Sequence, residues 1–160
     1  METTIRKGRK DDLRRVLAVV VELAVFERAP NEVTNTVQMM EADGFGESPV
    51  FGFFVAENEK GIVGISLYYW LYSTWKGKRL YLEDIIVTES ERGKGIGKML
   101  FDVTLQHTLD SGCTGMSWQV LDWNEPAIQF YKKYGSQMGQ EWINASLERN
   151  QIEKLISGRS

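Results

Sequence analysis

This chain has almost none of the residues that staple or metallate a small fold. Its 160 residues contain one cysteine, Cys113, and one histidine, His107. A lone cysteine rules out an internal disulfide framework. One cysteine and one histidine also fall short of the four ligands of a structural zinc, so no metal is expected. Long apolar runs are missing: none approaches the roughly 18 residues of a membrane span, and the opening METTIRKGRKDD carries no apolar signal core. These absences predict a cytoplasmic protein with no membrane partner. No extended basic stretch is present to displace counterions, which argues against a nucleic-acid partner. Nor is there a repeat, a low-complexity tract or a Pro/Gly/Ser linker at which to divide the chain, so residues 1–160 are expected to form a single domain.

What is present is the composition of a folded domain, 42% hydrophobic, 26% charged and 11% aromatic. The formal net charge of −3 is unevenly spread. Between Glu22 and Glu59 stand eight acids and one base, Arg28, a local charge of −7 that leaves +4 for the rest of the chain. The simplest reading of such a block is a solvated acidic surface.

Hydrophobic periodicity predicts an α/β chain. Thr3–Lys7 reads as a strand. Asp11 or Asp12 then caps a helix with apolar Leu13, Val16, Leu17, Val20 and Ala24, and Thr34 caps a second helix that ends near Gly44-Phe45-Gly46. Val50–Ala56, Ile62–Tyr72 and Arg79–Thr88 form an antiparallel meander, its first turn closed by Gly61. A helix over Gly95–Leu109, a strand over Met116–Leu121 and a helix over Asn124–Tyr134 follow. Gln137–Ala145 is expected to close the sheet, and Leu147–Ile156 to form a terminal helix.

The sharpest local signal is Arg92-Gly93-Lys94-Gly95-Ile96-Gly97-Lys98, between the strand YLEDIIV and an amphipathic helix. Glycines allow positive φ, which turns successive N–H groups toward one point, and the helix start adds partial positive charge. Three basic side chains reinforce a pyrophosphate cradle, although a tight strand-to-helix turn would need glycine too. A Walker A loop fails because Lys98 is followed by Met99, and the dinucleotide fingerprint fails because its third glycine falls one residue early, at Gly97. The acyl-coenzyme A pattern R/Q-x-x-G-x-G/A is matched by Arg92, Gly95 and Gly97.

With this loop and order of elements, the chain resembles the GCN5-related N-acetyltransferase (GNAT) superfamily. The segments YLEDIIV, Trp123-Asn124-Glu125-Pro126, Phe130-Tyr131-Lys132-Lys133-Tyr134-Gly135 and Asp43-Gly44-Phe45-Gly46-Glu47, with Tyr68-Tyr69 ahead of Trp75, narrow it to the spermidine/spermine (diamine) N-acetyltransferases, a family with thialysine-acetylating members. The likeness runs from about Ile5 to Trp142. It implies the acyl-CoA N-acyltransferase fold, a mixed, largely antiparallel central sheet flanked by helices, and the habits of its relatives: a homodimer that moves acetyl from acetyl-CoA to a primary amine of a small cationic acceptor (polyamine or diamine type) by direct attack. Thialysine or another amino-acid-like amine is the alternative acceptor, and a non-catalytic acyl-CoA sensor is the alternative of another class.

The resemblance also distributes roles. The pantetheine would bond the backbone of Ile85, Ile86 and Val87 where the fourth and fifth strands splay apart. Arg92, Gly93, Lys94, Gly95, Ile96, Gly97 and Lys98 would hold the pyrophosphate, and the helix start Asn124, Glu125, Pro126 and Ala127 would flank the cofactor. Tyr131 would bind beside the cofactor and act as general acid: a phenol of pKa ~10 stays protonated at neutral pH and can give its proton to the departing thiolate. The amine needs the opposite service, because an alkylammonium of pKa ~10.4 is neutral about once in 2,500 molecules at pH 7, a cost of ~4.6 kcal/mol. Glu83 would take that proton, and strand alternation is expected to put it on the same face as Ile85. Phe26, Glu27, Glu83, Trp118, Gln119, Val120 and Glu141 would form the acceptor pocket.

Overall fold

The computed structural model describes residues 2–158; the ends of the expected single domain, Met1 and Arg159–Ser160, lie outside the described residues. The chain forms two compact units that divide after Gln119. The first holds β1 (Thr4–Lys7), α1 (Leu13–Phe26), α2 (Val37–Phe45), β2 (Gly52–Asn58), β3 (Gly61–Ser73), β4 (Gly77–Val87), α3 (Ile96–Asp110) and β5 (Met116–Ser117). The strands lie in the order β1-β2-β3-β4-β5. The first four are antiparallel neighbours, and β5 joins β4 in parallel. The expected α/β class and largely antiparallel sheet are therefore present.

Local sequence explains most of these elements. The β2–β3 hairpin turns on Glu59 and Lys60, with Asn58 paired to Gly61 and Gly61 at φ 94°, a conformation that glycine adopts without a Cβ penalty. Leu13, Val16 and Val19 recur at helical spacing on α1 and are fully buried. They pack with Met40 of α2 onto Phe53, Val55, Ile65, Leu67 and Ile86 of the sheet. On the other face, Ile96 and Leu100 of α3 pack with Ala56 and Val63, and Ile85 and Val87 lean on that cluster. Each such fully buried aliphatic side chain contributes roughly 1.5–3 kcal/mol. Gly64 lets α3 come close: a Cβ there would stand 3.0 Å from both Leu100 Cδ1 and the Ile86 carbonyl oxygen. A polar contact also crosses this face between buried hydroxyls, Thr104 Oγ1 to Ser66 Oγ at 2.9 Å.

Three local expectations need correcting. The second helix is capped by Thr36, whose hydroxyl accepts from Met39 N–H, and not by Thr34. Asp12 makes no side-chain cap for α1; its carboxylate is taken by the Arg6 guanidinium at 2.8 and 3.0 Å and by the Arg9 amide at 2.7 Å, which ties β1 to the helix start. The fifth strand spans only Met116–Ser117, since its ladder ends at Tyr81↔Ser117, just before an irregularity in β4 described below.

The second unit holds α4 (Glu125–Lys132) and α5 (Arg149–Ser157). As the local motif predicts, the Asn124 side chain caps α4 by accepting from Ala127 N–H, and Pro126 lies in the first turn. Residues 137–145 form no strand, contrary to expectation. Trp142 and Ile143 are adjacent where a half-buried strand would alternate, and both are about nine-tenths exposed at 88% and 94%. With no buried face, burial supplies nothing to offset the cost of ordering a strand there.

Candidate active site

The site begins with an interruption in β4. Along β3, Leu67 faces Asp84 but Tyr68 faces Leu82, so Glu83 is an extra residue, a β-bulge. Beyond it β4 has β3 on one side and no pairing with β5 on the other among the described residues. The Thr88 N–H bonds the Val63 carbonyl at 2.9 Å. Alternation then turns the backbone groups of Ile86 toward β3 and those of Ile85 and Val87 toward the open side. Beyond the bulge β4 therefore has an open edge with donors at residues 85 and 87, while the backbone of Ile86, also expected to bond the pantetheine, faces β3.

The bulge overturns one expectation. It shifts the phase of β4 by one residue, so Glu83 does not share a face with Ile85. Ile85 and Val87 lean on the α3 cluster, whereas Asp84 pairs with Leu67 and Tyr81 with Tyr69, on the face that carries α1. Glu27, the residue that ends α1, acts electrostatically on both Glu83 and Asp84. Burial, then the charges of Glu83 and Glu27, push the Asp84 carboxyl up to about 7. Burial and Glu83 raise Glu27 as well, and a carboxylate at a helix C-terminus is further disfavoured by the helix dipole. Tyr69 and Tyr81 stack at 5.0 Å between ring centroids beside these acids, and burial with the charge on Glu83 raises both phenols. No cation forms an ion pair with Glu27, Glu83 or Asp84 among the described residues. Phe26, next to Glu27, lies under the Arg92 guanidinium at 5.4 Å.

The glycine loop follows β4 directly. Gly93 and Gly95 take φ of 77° and 79°, and a Cβ on either would meet nothing within 4 Å. Gly97, in the first turn of α3, has ordinary φ, and a Cβ there would only touch Val87 Cγ2 at 3.9 Å. Nothing inside the chain requires glycine at 97; it leaves the helix N-terminus bare. The three basic side chains are all engaged within the chain: Arg92 Nε donates to the Val87 carbonyl at 3.0 Å, Lys94 bonds Glu91 at 3.0 Å, and Lys98 bonds Asp102. The anion-facing donors of the loop are therefore its backbone N–H groups and those of the α3 start.

The remaining candidates fall on both units. Trp118 packs edge-to-face on Phe101, with Gln119 exposed after it. In the second unit, Val120 is half-buried, Asn124, Glu125, Pro126 and Ala127 form the start of α4, and Glu141 lies in the exposed extended stretch. Tyr131 is buried, its ring 5.4 Å edge-on from Phe130. His107 packs among Phe54, Tyr68 and Trp70, with its pKa lowered chiefly by burial.

The acetyltransferase (GNAT) family model matches residues 17–135. This chain belongs to the GNAT acetyltransferase family. A thialysine N-epsilon-acetyltransferase of Mus musculus is 37% identical over 164 residues, covering 96% of each chain. A spermidine/spermine N(1)-acetyltransferase-like protein of Homo sapiens is 33% identical over 139 residues, covering 82% of this chain and 20% of that one. Among solved structures, an integron cassette protein from the mobile metagenome of V. cholerae superposes with a TM-score of 0.77 over 100% of this chain and 99% of that one; at 22% identity this likeness shows the fold. The chain is an acetyl-CoA-dependent N-acetyltransferase of the GNAT type.

The residues present suit that co-substrate. The open edge at Ile85 and Val87 offers amide donors to an extended pantetheine, the left-handed glycines and bare α3 start offer donors to a pyrophosphate, and Gly97 leaves the space that a Cβ would fill. Sequence reasoning missed Asp84, Tyr69 and Tyr81 as members of the acidic site. Two adjacent acids inside an otherwise apolar strand, LEDIIV, were the available signal, since a strict strand buries one of them and only a bulge brings both to one face.

Proposed function

We propose that this GNAT enzyme acetylates the distal primary amine of a small amino-acid-like acceptor of the thialysine type. The observation that carries the reading is the group of three carboxylates, Glu27, Glu83 and Asp84, with raised pKa values at Glu27 and Asp84, no ion-paired cation among the described residues, and the rings of Tyr69 and Tyr81 alongside. A cationic amine is the partner that such a site lacks: it supplies the missing charge and can rest on the aromatic faces. The thialysine-acetylating relative, matched over nearly its whole length, supports the acceptor class.

When bound, acetyl-CoA supplies an activated acetyl thioester. The chain's own residues prepare both ends of the exchange. The Ile85 or Val87 amide polarises the acyl carbonyl, a preorganised donor of the kind that supplies the largest catalytic terms. The Glu83–Asp84 pair accepts the ammonium proton, directly or through water. A carboxylate near its usual pKa would be mismatched to an ammonium of ~10.4 by ~6.5 units, or ~9 kcal/mol. At about 7, Asp84 narrows that gap by roughly half. Glu27 holds the substrate's charge, and Tyr131 protonates the leaving thiolate. The family resemblance assigns Trp118, Gln119, Val120 and Glu141 to acceptor binding and Asn124 to Ala127 to donor binding. We further propose that the enzyme works as a cytoplasmic homodimer.

A second reading is favoured by the same three acids: a diamine or polyamine carries two or more cations and no carboxylate, so it needs no cation from the site. Initial rates with thialysine, lysine, putrescine, spermidine and spermine separate the two. The first reading expects kcat/KM for thialysine at least tenfold above the polyamines; the reverse order establishes the polyamine reading. Tight acetyl-CoA binding without turnover of any amine would leave a sensor. Tyr131→Phe is expected to lower kcat by about 10²-fold or more with the KM for acetyl-CoA little changed.

A further inference from the structure

The least exposed charged side chain of the described residues is an acid outside the acceptor site. Glu91 immediately precedes Arg92 of the glycine loop, is 1% exposed, and divides its two oxygens between two lysines. Oε1 accepts from Lys60 Nζ at 2.5 Å and Oε2 from Lys94 Nζ at 3.0 Å. Lys60 sits in the β2–β3 turn, and Lys94 lies between the two left-handed glycines. Both bonds hold the Glu91 pKa below its usual value, and the bond to Glu91 raises that of Lys60.

A carboxylate here is costly for an enzyme that must bind a pyrophosphate a few residues away, because it repels the ligand. Its compensation is mechanical. Gly93 and Gly95 make no side-chain contacts that could hold the loop, and glycine loses the most conformational freedom on ordering. The tether from Lys94 to Glu91, secured from behind by Lys60, connects the crown of the loop to the first hairpin of the sheet. The cluster keeps a net charge of +1, so the loop is anchored without becoming anionic. Glu91 and Lys94 themselves line a cleft with Thr3, Asn58, Ile96 and Met99.

We infer that Glu91 is a positioning residue, which acts through Lys94 and Lys60 to hold the glycine loop in its pyrophosphate-binding form. This rests on the family assignment of the loop to acetyl-CoA. The sign of the effect separates positioning from electrostatics. If charge alone mattered, Glu91→Gln would tighten binding by removing a repulsive carboxylate. Positioning predicts the opposite.

The test compares Glu91→Gln, Glu91→Asp and Lys60→Met with the unaltered enzyme, using acetyl-CoA and S-acetylpantetheine, which lacks the pyrophosphate, as donors to the amine that the unaltered enzyme turns over best. Glu91→Gln is expected to raise the KM for acetyl-CoA about 5–20-fold with kcat within twofold, and to leave kcat/KM for S-acetylpantetheine unchanged. Lys60→Met should raise the same KM about threefold, and Glu91→Asp, which keeps the charge but shortens the reach to both lysines, should raise it where charge alone predicts no change; Glu91→Asp decides the matter if Glu91→Gln does not fold. An unchanged or lowered KM for acetyl-CoA, or a parallel loss with both donors, overturns the inference. Failure of the unaltered enzyme to use acetyl-CoA with any amine would instead overturn the functional reading beneath it.

Discussion

The two ends of the β4 region treat carboxylates in opposite ways. Before the open edge, Glu27, Glu83 and Asp84 crowd together without an ion-paired cation among the described residues, and burial lifts Asp84 to about 7. After it, Glu91 is almost fully buried yet bonded by two lysines, which hold its pKa low. Asp12 belongs with Glu91, since the Arg6 hydrogen bonds lower it. The difference teaches which acids serve the fold and which serve the substrate. A paired acid has its countercharge inside the chain and gives rigidity. An acid crowded by other acids is held at a cost to stability, and a cationic ligand relieves that cost.

Three substitutions sharpen or break this comparison. The largest effect is expected from Glu83→Gln, which removes a proton acceptor from the unpaired group: kcat/KM for the amine should fall by 10²-fold or more, with the thermal midpoint held or raised. A drop in the midpoint with activity retained would place Glu83 among the structural acids. Next, Asp12→Asn breaks a carboxylate with three bonds from Arg6 and Arg9, and chemical denaturation should show a loss of about 2–4 kcal/mol with kcat within twofold.

The smallest expected change is also the most discriminating. Between pH ~4 and ~7 the unfolded chain releases the Asp84 proton while the folded chain keeps it, so this residue's contribution to stability is lost as pH rises toward 7. Asp84→Asn cannot ionise. It should therefore stabilise the fold by on the order of 1–3 kcal/mol at pH 8, a gain that shrinks toward zero near pH 4. The depressed acids have the opposite slope: the stability from Asp12 is present at neutral pH and is lost as pH falls through its lowered pKa. Denaturation curves at pH 5 and pH 8 distinguish the two classes, and a gain for Asp84→Asn that did not grow with pH would remove Asp84 from the unpaired group.

The elements most legible in advance were those with a local cause. The hairpin at Gly61, the helical stripe Leu13-Val16, the Asn124 cap with Pro126 and the glycines of the 92–98 loop each follow from a few neighbouring residues. The misread elements depended on distant partners. Thr34 and Thr36 are equally good caps in isolation, and only the packing of α2 chooses between them. Residues 137–145 hold strand-forming residues, but no strand forms where no surface covers Trp142 and Ile143.

By itself the sequence determined the fold class, the donor loop and the family, because periodicity, glycine positions and short motifs are properties of neighbouring residues. It also marked Glu27 and Glu83 as acids of interest. Tertiary structure decided what each acid does. A single extra residue in the register of β4 brings Glu83 and Asp84 to the face where Glu27 ends α1, and a turn 31 residues away in the chain delivers Lys60 to Glu91. The ionisation of a carboxylate is set by the charges and solvent within a few ångströms of it, and those neighbours are assembled only when the strands pair.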